Sequence, residues 1–89
     1  MKIRVKLFGT LPQRYPDYNP EHGLEVEIPN GAKVKDLLAH LELSASDSGI
    51  VAVNNLVVKE NETLKNGVCV RIFQRAFGGW FIVIKLKNL

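Results

Sequence analysis

KVKDLLAHLEL, residues 33–43, is where this chain changes its period. Val34, Leu37, Leu38 and Leu41 fall at i, i+3, i+4 and i+7, which lines them along one face of a helix as core residues. The segments around it alternate instead. Upstream, KIRVKLF (2–8) sends Ile3, Val5 and Leu7 one way and Lys2, Arg4, Lys6 and Phe8 the other, as a half-buried strand does. LEVEI (24–28) repeats the pattern, with Glu25 and Glu27 on the outer side. Downstream, IVAVN (50–54) and LVVK (56–59) read as a short strand pair. Asn54-Asn55 supplies the turn between them, because asparagine tolerates positive φ. VCVRIF (68–73) is the last strand of the body, with Val68, Val70 and Ile72 inward and Cys69, Arg71 and Phe73 outward.

The order is therefore strand, strand, helix, short strand pair, strand. The two long strands each have a polar face, so the expected architecture is α+β: a mixed sheet with one helix on one side. Among the connections, residues 9–23 (GTLPQRYPDYNPEHG) are long and carry three prolines. Proline lowers the entropy of the unfolded chain, so this loop is expected to be ordered. SASDSG (44–49) reads as a polar loop, and ENETLKNG (60–67) as a turn anchored by Leu64.

Composition narrows the function. Eighty-nine residues make one small domain. The net charge is +3, but Lys85 and Lys87 supply two of the twelve basic residues against nine acids, so residues 1–79 are nearly neutral. Lys2, Arg4 and Lys6 do align, but Glu25 and Glu27 on the next strand are placed to neutralise them, which argues against nucleic-acid binding. One cysteine, Cys69, excludes an internal disulfide. A lone strand cysteine reads as a small apolar residue, with no neighbour to make it a redox relay. His22 and His40 do not cluster, so no metal site is expected. MKIRVKLF lacks the apolar core of a signal peptide. The longest apolar run, 76–84 counting its glycines, is nine residues against the roughly 20 of a membrane helix. The expectation is a reduced, soluble, cytoplasmic protein.

The chain ends AFGGWFIVIKLKNL (76–89). Gly78-Gly79 is open to two readings. It is a hairpin turn leading into a strand, since Trp80, Ile82, Ile84 and Leu86 share one face. Alternatively it is the close-approach tail of a carrier. The first meets an objection in the fold: if the last body strand is central, a returning strand cannot pair beside it. Such a tail must bind a sheet edge, fold beyond the sheet or pair with another copy.

The element order fits a β-grasp, and within it the sequence resembles the MoaD/ThiS family of ubiquitin-like sulfur carriers. The resemblance rests on VKLFGTL (5–11), GAKVKDLLAHL (31–41), VAVNN (51–55) and LKNGVCVRIF (64–73), closed by Gly78-Gly79. The spacing from Gly67 through Val70 and Ile72 to the glycine pair also matches, and the LFGTL segment is more similar to the MoaD branch. It spans residues 1–79 as a carrier-like domain and leaves 80–89 as an apolar extension, which on the turn reading is an extra C-terminal strand.

The resemblance implies a function. Gly79, once it carries a free carboxylate, is adenylated by a ubiquitin-activating-type adenylyltransferase that uses ATP, and is then converted to a thiocarboxylate. Ala76, Phe77 and Gly78 enter the partner's site with it. The sulfur goes to an acceptor such as a molybdopterin precursor, together with the large subunit of a synthase. The carrier binds no cofactor itself and is a macromolecular substrate rather than an enzyme. Phe8, Arg71 and Phe73 form an outward interface for these partners, in competition with a plain partly covered sheet face. Four positions depart from the family pattern: Asn55 for glycine, Asn66 for aspartate, Gln74 for proline, and the tail. With Trp80 attached Gly79 has no carboxylate, so a processing metallopeptidase is implied. The alternatives are a non-catalytic β-grasp interaction module with a permanent tail strand, self-associating through it, and a ubiquitin-like protein modifier using the same glycine.

Overall fold

In the computed structural model, residues 1–44 and 48–74 are described. They form five strands and one α-helix: β1 (Lys2–Phe8), β2 (Leu24–Glu27), α1 (Val34–His40), β3 (Ser48–Val53), β4 (Leu56–Val58) and β5 (Cys69–Gln74). The sheet order is β2-β1-β5-β3-β4. β5 lies parallel to β1 and antiparallel to β3, so it is central, as the sequence order implies. The two hairpins are antiparallel.

Alternation decides which face each strand buries. Ile3, Val5 and Leu7 of β1 and Val70 and Ile72 of β5 turn to the same side, where they meet Val34, Leu37 and Leu41. Leu38 is half-buried at the margin of this core. The helix is shorter than its apolar period suggests. It stops at His40 because Glu42 takes a left-handed φ of 59°, and Leu43 reaches the core from outside it. β3 begins at Ser48, inside the segment read as a polar loop.

The N-terminal end of the helix is fastened. The N–H groups of Val34 and Lys35, which have no partner within the helix, donate to the carbonyls of Glu62 and Glu60 at 2.9 and 2.8 Å. Asp36 Oδ2 accepts the Lys33 N–H at 2.8 Å. The Leu64 N–H returns to the Ala32 carbonyl at 2.8 Å, and its side chain is buried as expected. Asp36→Ala leaves the Lys33 N–H without this acceptor and is expected to cost about 1 kcal/mol, read as a lower urea midpoint at unchanged m-value.

The proline-rich loop is ordered by burial as well as by proline. Leu11, in a 3-10 turn over Leu11–Arg14, is buried in the core. The Tyr18 hydroxyl accepts the Leu7 N–H at 2.9 Å, and the Tyr15 hydroxyl donates to the Leu41 carbonyl at 2.6 Å. Asn54 and Asn55 have φ of 50° and 70°, the left-handed pair that a two-residue hairpin needs. The charge pairing of β1 with β2 is thinner than expected. Lys2 meets Glu25 at 3.7 Å, whereas Arg4 donates to the His22 carbonyl at 2.8 Å.

Candidate functional site

Because β5 is central, whatever follows Gln74 leaves from the middle of the sheet. Three contacts set that exit. Gln74 sits opposite Ser48 of β3. Its side-chain Oε1 accepts the Thr10 N–H at 2.7 Å. Gly9, at φ 77°, brings the turn after β1 against it, and a Cβ there would lie 2.8 Å from the Gln74 Cβ. The departure from proline at position 74 thus has a local role: glutamine ties the end of β5 to the turn after β1.

The sheet face away from α1 carries the residues expected at a partner interface. Register places Phe8 beside Phe73 and Phe73 beside Ile50. The two rings stack, with centroids 4.7 Å apart and planes 12° from parallel. With Ala52 and Ile50 they form a second apolar cluster. One step along, Lys6 lies beside Arg71, whose Nη1 donates to Asn55 Oδ1. Beyond that Arg4 lies beside Cys69, a half-buried free thiol.

Phe8, Arg71 and Phe73 are therefore brought together on one face, but Phe73 does not lie open on it. Its ring faces away from the helix as expected and is only 2% exposed. A central strand has neighbours on both sides, and Phe8 and Ile50 flank this ring. Phe8 and Arg71 are half-buried and Arg4 is exposed, so these form the accessible part, with the apolar end nearest the exit. Ile50, Ala52, Thr10 and Gly9 were not singled out by sequence. The antiparallel register of β3 with β5 would have found Ile50 beside Phe73 once the fold was assumed.

Ala76, Phe77, Gly78, Gly79 and the extension 80–89 lie outside the described residues. Among the described residues no three potential metal ligands come together, and His22 and His40 are exposed. No helix among them is long and apolar enough to cross a membrane.

A mixed sheet in this order, covered on one face by one helix and releasing its chain from the central strand, defines a ubiquitin-like β-grasp protein. The chain belongs to the ThiS family, whose model matches residues 5–79. A Pyrococcus furiosus structure described as a molybdopterin converting factor, subunit 1, is similar at 26% identity with a TM-score of 0.67, covering 85% of this chain and 99% of that one. Small archaeal modifier protein 1 of Haloferax volcanii shares the fold at 19% identity and a TM-score of 0.65, covering 84% of this chain and 98% of that one. No curated protein matches the sequence. Members of the family are small carrier proteins rather than catalysts, and work with activating enzymes and synthase subunits.

Proposed function

We propose that this protein is a sulfur carrier of the MoaD kind, in which Gly79 is the reacting residue and residues 80–89 are removed first. The observation that carries this reading is where the family match stops. It runs to residue 79, the second glycine of the pair, five residues beyond Gln74 of the central strand. Fully extended, five residues reach up to about 17 Å from the sheet, enough to enter a narrow partner site. Glycine at the last two positions leaves no side chain beside the reacting carbon.

The chemistry is borrowed from the partners. A processing metallopeptidase hydrolyses the Gly79–Trp80 bond and frees the carboxylate. An adenylyltransferase joins that carboxylate to the α-phosphate of ATP, and pyrophosphate leaves. Hydrosulfide attacks the acyl carbon and displaces AMP, which leaves the thiocarboxylate. ATP belongs to the activating partner, and the carrier holds no cofactor. Phe8, Arg4 and Arg71 offer that partner an apolar end and a basic stripe leading to the exit. The acceptor is a molybdopterin precursor on a synthase large subunit, in the cytoplasm. The small archaeal modifier likeness keeps a second use of the same glycine in view: attack on the adenylate by a lysine amine, giving an isopeptide instead of a thiocarboxylate.

Intact mass spectrometry of the protein purified from its own cells tests the reading. The expected species ends at Gly79, with part of it carrying sulfur in place of one carboxylate oxygen. Recovery of only the full-length chain under growth that demands the sulfur product would overturn it.

A further inference from the structure

The described sheet has two edges, and they are built differently. At the β2 edge the Met1 N-terminal amine and the Ile28 N–H exchange bonds with each other's carbonyls, at 2.8 and 3.0 Å. Alternation from that pair turns the N–H groups of Glu25 and Glu27 outward, beside exposed carboxylates. Charges of this kind keep other strands away. The β4 edge has no charge within the strand. Its Leu56 and Val57 are 71% and 60% exposed, the large exposed hydrophobics among the described residues. They turn to opposite faces, and alternation from the two-residue turn points the Val57 N–H to open solvent. Beside this edge, between α1 and the β3–β4 hairpin, runs a groove of about 550 Å³ lined by Val34, Leu38, Leu43 and Val58.

We infer that residues 80–87 of the same chain add to the β4 edge as a sixth strand and cover this groove. Direction favours it. β5 is antiparallel to β3 and β3 to β4, so β4 runs parallel to β5. A chain that leaves β5, turns at Gly78-Gly79 and comes back meets β4 antiparallel, whereas at the β2 edge it would run parallel.

Reach allows it. A strand outside β4 sits three strand spacings from β5, about 14 Å. The six steps from Gln74 to Trp80 span up to about 20 Å. Chemistry matches as well. Trp80, Ile82 and Ile84 on one side and Phe81 and Val83 on the other supply apolar side chains to both faces, as the exposed Leu56 and Val57 demand. This docking does not depend on the carrier reading. One consequence does rest on it: a cut after Gly79 would free the carboxylate and uncover the β4 edge together, so that only the trimmed chain presents that edge to a partner.

Amide hydrogen exchange by NMR tests the docking on three proteins: the full chain, residues 1–79, and the full-length Ile82→Lys/Val83→Lys variant. The Val57 amide is expected to exchange at least about tenfold more slowly in the full chain than in the other two, at every protein concentration. Glu25 and Glu27 are expected to exchange alike in all three. Equal Val57 rates overturn the inference, as does protection moved to Glu25 and Glu27. Protection that appears only with a dimer in sedimentation also overturns it, since the tail would then be a second copy's. The lysine variant keeps the test open if residues 1–79 alone do not fold. Val57 exchange is independent of the Gly79 mass, so the docking and the carrier reading fail separately.

Discussion

Phe73→Ala is expected to remove about 3–5 kcal/mol of folding stability, read as a fall in the urea midpoint at unchanged slope. A domain of this length is stable by roughly 4–13 kcal/mol, so the change takes about a quarter or more of the total. The ring is 2% exposed and stacked on Phe8 in the middle of the sheet, and its loss opens a void that β1 and β3 cannot close. Phe8 stacks on the same ring from the end of β1, beyond its pairing with β2, and is half-buried, so Phe8→Ala is expected to cost nearer to about 1 kcal/mol. Phe73→Leu keeps most of the volume and is expected to stay within about 1.5 kcal/mol of the parent. If Phe73→Ala instead matched Phe8→Ala, the ring would be a surface contact after all. On the carrier reading the pair also separates folding from recognition: Phe8→Ala leaves a folded protein in which weaker turnover by an activating enzyme would report the proposed interface, whereas Phe73→Ala confounds the two.

The difference between these two rings marks the limit of what was legible in the sequence. Period is a local property, so the alternation of residues 2–8 and 68–73 and the helical spacing of Val34, Leu37 and Leu41 gave the faces correctly. Element order placed the last strand in the centre, as the sheet has it. Exposure is not local. Phe73 reads as outward because it alternates with Val70 and Ile72, and it does point outward; it is buried because Phe8 and Ile50 flank it across two pairings. The helix end at Glu42 was missed because no glycine marks the left-handed residue. At the exit, Gly9, Thr10 and Gln74 are about 65 positions apart in sequence and meet through the β1–β5 register, which no local pattern contains.

Gly9→Ala is expected to cost about 2–4 kcal/mol, from two sources that a double-mutant cycle separates. The left-handed φ of 77° costs any L-residue about 1–2 kcal/mol. The rest comes from Gln74, whose Cβ lies 2.8 Å and Cδ 3.3 Å from where the new methyl must go. The far end of the glutamine can swing aside, but only by giving up the Thr10 N–H it accepts at 2.7 Å. Its Cβ is fixed to the central strand and cannot. Gln74→Ala removes the amide and keeps the Cβ, so it relieves part of the clash. The cost of Gly9→Ala is therefore expected to be smaller by about 1 kcal/mol in a Gln74→Ala background than in the parent, a coupling well above the few tenths seen between distant sites. Additivity of the two substitutions would mean that the turn and the strand end do not press on each other. The same contact holds the point from which the tail departs, so on the carrier reading Gly9→Ala has a second effect. It leaves Gly79 chemically intact and still slows adenylation of residues 1–79 under conditions where the variant is folded, because the tail starts from a less fixed position.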